Sequence, residues 1–192
     1  EDEDHYLAII SSETKRLSRL VRQMLEMSRI QSVDKASLLS RSFDFSEVIM
    51  RTLLNFETKI TEHGLDVDAQ LPEENMLVRG DEDSYTQVVY NLLDNAIKFA
   101  ASGTALGVSL WKQGGKAYVS VSNRGETISP EELPFSVDRV RKADKSRSMD
   151  RDGYGLGLAI VKTILNNHGE DVTVTSRDGL TEFIFTAKLK EK

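Results

Sequence analysis

Apolar side chains recur at helical spacing along the first part of the chain. Residues 5–31 contain no glycine or proline, and Ile10, Leu17 and Met24 follow one another at intervals of seven. Leu20 and Met27 form a second series that widens the same stripe. Basic residues lie between these positions: Lys15, Arg16, Arg19, Arg22 and Arg29. The pattern predicts one long amphipathic helix over about residues 5–31.

The rest of the chain mixes helical and strand patterns. Residues 32–42 are polar and aperiodic, so we expect a linker there. Helical periodicity predicts helices over 47–62 (capped by Ser46), 81–99 and 154–167, and a short helix after Pro130. Alternating patterns predict strands at 65–71, 76–78, 105–112, 116–123, 172–175 and 182–189. Because strands and helices do not alternate regularly, we expect an α+β fold, a two-layer α/β sandwich, over residues 43–192.

Composition narrows the classes of protein. The chain has 192 residues, 39% of them hydrophobic, and a net charge of −6, which argues against a nucleic-acid partner. It has no cysteine, which excludes disulfides and thiolate metal sites. No apolar run approaches the roughly 20 residues that span a bilayer. We therefore expect a soluble chain with a core of its own.

A polar stripe accompanies the apolar face of the helix predicted over residues 81–99. Asn91, Asn95 and Lys98 lie about one turn apart and so share one side of the helix. Two carboxamides and an ammonium suit phosphate oxygens and a hard cation such as Mg²⁺. Taken alone, an ordinary solvated face explains the stripe equally well.

A carboxamide and a glycine follow one another at the end of a predicted strand. Asn123 ends the strand at 116–123, and Gly125 comes two residues later. A carboxamide can accept a hydrogen bond from an exocyclic amine and donate one to a ring nitrogen. A glycine lets the backbone approach a flat ring closely. The alternative is a plain Asn-x-Gly turn.

Glycines cluster again where the helix at 154–167 begins. Gly153, Gly155 and Gly157 leave backbone N–H groups accessible to a phosphate, which the helix dipole also favours. The charged, aperiodic residues 139–153 supply cations that suit a lid over a triphosphate: Arg141, Lys142, Lys145, Arg147 and Arg151. A flexible, solvated loop is the alternative for either feature alone.

In this order, the three clusters resemble the nucleotide-binding boxes of the sensor histidine kinases. Residues 91–99 resemble the N box of that family, 123–128 its G1 box and 153–162 its G2 box. Residues 143–148 resemble the segment that follows its F box, and 16–30 resemble the second helix of its dimerisation hairpin. The resemblance covers nearly the whole chain.

The resemblance implies the ATP-binding sandwich shared with DNA gyrase and mismatch-repair ATPases. Residues 1–31 would be the second hairpin helix, 32–42 the linker and 43–192 the ATP-binding catalytic domain. ATP and Mg²⁺ would be the cofactors: Asn95 would bind the Mg²⁺ carried by ATP, Asn91 and Lys98 would hold the triphosphate and act in catalysis, and Asn123 would read adenine. The remaining nucleotide-binding residues that it implies are Gly125, Ile128, Lys145, Arg147, Gly153, Gly155, Leu156, Gly157 and Leu158.

The implied activity is that of a protein-histidine kinase. The γ-phosphoryl of ATP would pass to a histidine and then to an aspartate of a response-regulator receiver domain. The full-length protein would be a homodimer through its hairpin helices, with this part in the cytoplasm and a membrane anchor elsewhere. The family's acceptor histidine is followed by an acidic residue, whereas Tyr6 follows His5. We therefore expect this chain to bind ATP without phosphorylating itself.

Several positions depart from the family's pattern. Asn123 replaces the usual aspartate of the G1 box, Val137 and Val140 replace the two phenylalanines of the F box, and Glu170 replaces a glycine. An amide keeps the contact with an adenine amine but lacks the charge, so we expect weaker adenine binding than with aspartate. The departures keep open a degenerate kinase that serves as a nucleotide-binding or dimerisation module.

Two other ATP-binding classes share this arrangement. Hydrolytic ATPases of the wider family carry a glutamate one turn before the metal-binding asparagine, where this chain has Asn91. Since a carboxamide cannot take a proton from water, hydrolysis is the less favoured reading. Serine kinases of the anti-sigma-factor type have similar boxes, but the heptad helix at the front of this chain argues against them.

Overall fold

The computed structural model describes residues 2–31, 38–130, 133 and 155–191. The chain divides into two compact units, Glu1–Val33 and Asp34–Lys192. In the first unit, α1 (Asp2–Gln31) is a continuous helix, as the heptad pattern predicts. Its heptad residues Ile10, Leu17 and Met24 are exposed.

The second unit contains four helices and seven strands among its described residues. Its strands are β1 (Ser42–Asp44), β2 (Asp66–Gln70), β3 (Leu77–Arg79), β4 (Ala105–Gln113), β5 (Lys116–Arg124), β6 (Val172–Arg177) and β7 (Leu180–Lys188). Its helices are α2 (Phe45–Asn55), α3 (Glu57–Glu62), α4 (Glu82–Phe99) and α5 (Gly155–Asn167).

Five of the strands form one mixed sheet in the order β2-β4-β5-β7-β6. β2 runs parallel to β4, and the other neighbours are antiparallel. Gly114 and Gly115 connect β4 to β5 with φ of 55° and 77°, the left-handed conformation that a tight hairpin requires. Helices layered against this sheet confirm the expected α+β sandwich.

Aromatic side chains join the helical layer to the sheet. The Phe45 ring of α2 lies 5.3 Å from the Tyr85 ring of α4 and 5.9 Å from the Phe185 ring of β7. All three side chains are fully buried. Large buried rings in edge-on contact contribute much of the apolar free energy of a small core, so this cluster fixes α4 on the sheet.

The structure differs from the predicted elements in a few places. β1 and β3 form a separate antiparallel pair, and β1 was not predicted because three residues are too few for a periodic signal. Asp44, not Ser46, caps α2: its carboxylate accepts the Ser46 N–H at 3.0 Å. The helix predicted over 47–62 is two helices, separated at Phe56.

Other expectations concern the linker and the loops. Leu38, within the predicted linker, is buried, and β1 already begins at Ser42. The packed second unit thus starts a few residues before the predicted boundary at 43. The helix expected after Pro130 and the charged segment 139–153 fall outside the described residues.

Candidate functional site

Helix α4 is held at its start by the end of α5. Asp81 caps α4, since its side chain accepts the Ser84 N–H at 3.0 Å. The Asp81 N–H itself donates to Nε2 of His168, which follows α5, at 3.3 Å. Nδ1 of the same ring lies 2.8 Å from the carbonyl of Ile164, which only accepts, so Nδ1 carries the proton.

This hydrogen-bonding pattern requires one neutral form of the His168 ring. Burial, the largest influence, lowers the pKa of His168; the Ile164 hydrogen bond and the charges of Asp81 and Glu170 act in the opposite direction. Because a protonated ring could not accept the Asp81 N–H, the neutral imidazole is the form that links the two helices.

The predicted polar stripe of α4 passes through different environments. Asn95 is only 7% exposed, Asn91 is half-buried and Lys98 is exposed. Burying a carboxamide is costly unless it gains partners. A uniformly solvated helix face therefore does not describe these residues, since Asn95 is buried.

Asn91 joins the first predicted cluster to the third. Its Nδ2 donates to the carbonyl oxygen of Gly157, in the first turn of α5, at 3.3 Å. Gln87 Nε2 donates to the Asn91 Oδ1 from one turn earlier, at 3.1 Å. The amide stripe and the start of the glycine-opened helix thus lie side by side.

Gly125 joins the second cluster to the other end of α4. A Cβ on this residue would lie 2.2 Å from the carbonyl oxygen of Phe99, the last residue of α4. The Gly125 N–H donates to the Gly179 carbonyl at 2.8 Å, and the Ala101 N–H donates to the Arg124 carbonyl at 2.7 Å. No side chain fits here without moving backbone.

Asn123 lies on the helix-facing side of the sheet. It is 3% exposed and pairs in register with Thr181 of β7. Ile128, farther along the same predicted box, is half-buried, and its N–H donates to the Ser176 hydroxyl at 2.9 Å. Strand pairing thus fixes the backbone beside Asn123, and the Ser176 contact fixes the backbone at Ile128.

A cavity of about 390 Å³ opens where the C-terminal end of α4, the turn at Gly125 and the turn between β6 and β7 meet. It is lined by Phe99, Ala100, Ala101, Arg124, Gly125, Glu126, Asp178 and Gly179. Of the predicted binding residues that the structure describes, only Gly125 lines it. Lys145, Arg147 and Gly153 lie outside the described residues, while Gly155 and Leu156 open α5 and Leu158 is buried.

The departure at Glu170 has a structural explanation. Its side chain is 4% exposed and accepts hydrogen bonds from Lys116 Nζ, at 2.7 Å, and from the Thr186 hydroxyl. A buried carboxylate persists only when it is paired and hydrogen-bonded. The residue that replaces the family's glycine thus has its own partners on β5 and β7.

Two features escaped the sequence analysis. Gln87 is one turn from Asn91, and the four-residue spacing that makes helical neighbours could have revealed it. The turn at Asp178 and Gly179 contacts Gly125 through the hydrogen bond from the Gly125 N–H to the Gly179 carbonyl, and the sequence carries no local signal for this long-range contact.

Comparison with known proteins decides the family. Residues 80–191 match the family described as "Histidine kinase-, DNA gyrase B-, and HSP90-like ATPase", which is more than half of the chain. The chain belongs to this family. The matched region contains α4, α5 and the β4–β7 part of the sheet, so the resemblance to the sensor histidine kinases is confirmed, and nucleotide binding is the property that the domain carries.

Individual relatives also support the resemblance to sensor histidine kinases. The chain is 31% identical over 188 residues to the sensor protein RprX of Bacteroides fragilis (strain YCH46), covering 96% of this chain and 36% of RprX. The nucleotide-free catalytic domain of histidine kinase ThkA is 27% identical with a TM-score of 0.66, covering 77% of this chain and 96% of that chain. The fold of ThkA in complex with the response regulator TrrA is similar, with 24% identity and a TM-score of 0.70, covering 96% of this chain and 51% of that chain.

The chain thus spans about a third of the length of RprX. Within the described residues, no helix is long and apolar enough to cross a bilayer.

Proposed function

We propose that this chain binds ATP with Mg²⁺ and transfers the γ-phosphoryl group to a histidine on a separate helical hairpin. The observation that carries the proposal is the hydrogen bond from Asn91 to Gly157, which sets the amide stripe of α4 beside the start of α5. A helix start presents N–H groups and a positive dipole end, both of which favour phosphate. The position of Asn91 beside this helix start supports a phosphate site there.

The two ends of the nucleotide would meet different parts of the site. Asn91 and the first turn of α5 would hold phosphate oxygens, and Lys98 would add a positive charge from the exposed side of the helix. Asn123, beside the Gly125 turn, would pair with the adenine edge through its amide. Gly125 would then serve to keep the backbone turn tight against the end of α4.

Asn95 fits the role of a magnesium ligand carried in with ATP. Mg²⁺ prefers oxygen ligands and keeps several of them from phosphate and water. Among the described residues, no group of three histidines or carboxylates could hold a cation. A cation bound by a lone carboxamide oxygen would need the phosphates as further ligands, so Mg²⁺ would enter as the ATP complex and neutralise charge on the transferring phosphoryl group.

The site favours phosphoryl transfer over hydrolysis. Activating water for hydrolysis requires a group that accepts a proton. Asn91 and its hydrogen-bond partner Gln87 are both carboxamides, which accept no proton at neutral pH. A positioned histidine is a nucleophile that needs no such base, because neutral imidazole already carries a lone pair.

The partners that we propose follow from the relatives. Because ThkA forms a complex with the response regulator TrrA, we propose that a receiver domain accepts the phosphoryl group from the histidine. We further propose that α1 pairs with hairpin helices in a homodimer, since its heptad residues are exposed, and that this part acts in the cytoplasm.

Binding is the first test. Titration calorimetry with ATP should show Mg²⁺-dependent binding that Asn95→Ala weakens by about tenfold or more, as for loss of one charge-assisted contact. Gln113→Ala, at the far end of the β4–β5 hairpin, is the matched control and should leave the affinity unchanged. Absence of ATP binding by the unaltered chain would refute the proposal and leave a dimerisation module.

Phosphotransfer is the second test. The chain should transfer label from γ-labelled ATP to a supplied hairpin that carries the acceptor histidine, and Asn95→Ala should abolish that transfer. Labelling of the chain alone that disappears in His5→Ala would overturn the expectation that it does not phosphorylate itself. Steady release of ADP without a hairpin would instead favour an ATPase.

A further inference from the structure

A chain of three hydrogen-bonding groups connects α4 to α5 within the proposed phosphate site. The Gln87 side chain donates from Nε2 to Asn91 Oδ1 at 3.1 Å, and Asn91 Nδ2 donates to the Gly157 carbonyl at 3.3 Å. All three groups are half-buried, where competing water is reduced. The amide carbon Cγ and the amide oxygen Oδ1 of Asn91 each lie 3.7 Å from the position that a Cβ on Gly157 would occupy. The two residues are therefore in van der Waals contact as well as hydrogen-bonded.

The order of donors and acceptors in this chain follows from chemistry. A backbone carbonyl only accepts, so the group of Asn91 that faces Gly157 must be its NH₂. The amide oxygen of Asn91 then faces Gln87, and Gln87 must present its own NH₂. The Gly157 carbonyl thus selects one of the two orientations of the Asn91 amide. In that orientation, Gln87 donates a hydrogen bond to the amide oxygen of Asn91.

We propose that Gln87 is a positioning residue, which holds the Asn91 amide with its NH₂ directed toward the start of α5. The second N–H of that NH₂ would then be available to a phosphate oxygen at this helix start, while the amide oxygen accepts the hydrogen bond from Gln87. An amide in the opposite orientation would present an oxygen to the phosphates, which repels them. This inference rests on the proposed function, and it assigns a task to a residue outside the nucleotide contacts.

Gln87→Glu is the sharpest variant, because it preserves size while removing the donor. A carboxylate only accepts, so it would attract the NH₂ of Asn91 away from Gly157 and the phosphates. We expect ATP affinity to fall about tenfold, the effect of one charge-assisted hydrogen bond. The affinity for adenosine, which lacks phosphates, should change less than twofold. Thermal unfolding of each variant monitors the fold.

A double-mutant cycle separates amide orientation from simple charge repulsion. If Gln87 acts through Asn91, Gln87→Glu should change ATP affinity less than twofold in an Asn91→Ala background. An equal loss in both backgrounds would mean that the new charge repels phosphate directly, and it would overturn the proposal. Gln113→Glu makes the same chemical change at the far end of the β4–β5 hairpin and should leave the affinity unchanged.

A measurement on the nucleotide-free protein tests the orientation of the Asn91 amide independently of ATP binding. In the nucleotide-free protein, the side-chain ¹H–¹⁵N resonances of Asn91 should shift markedly in Gln87→Glu and little in Gln113→Glu. Unmoved resonances would overturn the positioning role even if ATP binds. Conversely, shifted resonances in a chain that does not bind ATP would support the orientation of Asn91 and refute only the nucleotide function.

Discussion

The two ends of α4 are held by different kinds of contact. At the N-terminal end, the Tyr85 ring is fully buried and lies 5.3 Å from the Phe45 ring and 4.8 Å from the His168 ring. At the C-terminal end, the backbone of Phe99 lies directly against Gly125, and a cavity of about 390 Å³ opens beside them.

The contrast indicates that the two ends of α4 have different roles. Apolar contacts between rings contribute free energy but tolerate small shifts, because dispersion has little directionality. Contacts between backbone groups contribute less energy but fix positions closely. We therefore expect substitutions at the N-terminal end to affect stability first, and substitutions at the C-terminal end to affect ligand binding as well.

The largest effect should come from Phe45→Ala. Removing a fully buried ring leaves a cavity among Tyr85, Phe185 and the sheet, which costs about 3–5 kcal/mol. Urea denaturation would measure the loss. The fraction that remains folded should bind ATP with unchanged affinity, and a loss below about 1 kcal/mol would contradict the role assigned to the aromatic cluster.

Gly125→Ala should have the next largest effect on stability and, unlike Phe45→Ala, should also weaken ATP binding. Its new Cβ would meet the Phe99 carbonyl at 2.2 Å, so backbone must move, at a cost of about 1–3 kcal/mol. ATP affinity should fall by at least about tenfold, because the turn beside Asn123 shifts.

Gly107→Ala is the matched control for that variant. Its Cβ would also be crowded, at 2.4 Å, but only by the Ser122 hydroxyl, which can rotate away. Both variants are compared by denaturation and calorimetry. Equal losses of ATP affinity in the two would show that crowding on the sheet, and not the position of the turn, sets the affinity.

Low pH should destabilise the second unit, because His168 becomes protonated. Since burial lowers the pKa of this side chain in the folded state, the unfolded chain takes up a proton first as the pH falls below about 6.5. Stability should be full above that pH and decline as the pH falls toward the folded-state pKa, at about 1.4 kcal/mol per unit between the two.

His168→Gln tests this assignment. Glutamine can accept the Asp81 N–H near the position of Nε2 but does not titrate. Denaturation between pH 5 and 8 should therefore give a flatter stability profile for this variant than for the unaltered chain. Identical slopes would assign the acid sensitivity to other groups.

The smallest effect should come from Tyr85→Phe, and it should be stabilising. Within the described part of the chain, the buried Tyr85 hydroxyl has no hydrogen-bond partner. Burial, followed by the charge of Glu170, raises the pKa of this hydroxyl, so it stays protonated. Removing it should add about 0.5–1 kcal/mol to the free energy of unfolding, whereas a loss would reveal a partner such as ordered water.

Strong local patterns predicted the elements that carry the site. α4 follows from its apolar periodicity, and the β4–β5 hairpin follows from the glycine pair Gly114 and Gly115. β1 escaped prediction because it is short, and it is stabilised by pairing with β3, about 35 residues away. The break at Phe56 also escaped, since both flanking segments are helical.

The sequence by itself determined which chemical groups this protein presents and in which order, and its motifs resemble those of an ATP-binding family. Local spacing is enough to predict the helices and strands that carry these groups, because helix and strand periodicities depend on neighbours within a few residues. Only the tertiary structure decided that Asn91 meets Gly157 and that Gly125 packs on Phe99. Those contacts depend on how α4 packs against α5 and the sheet, and packing joins residues far apart in the chain.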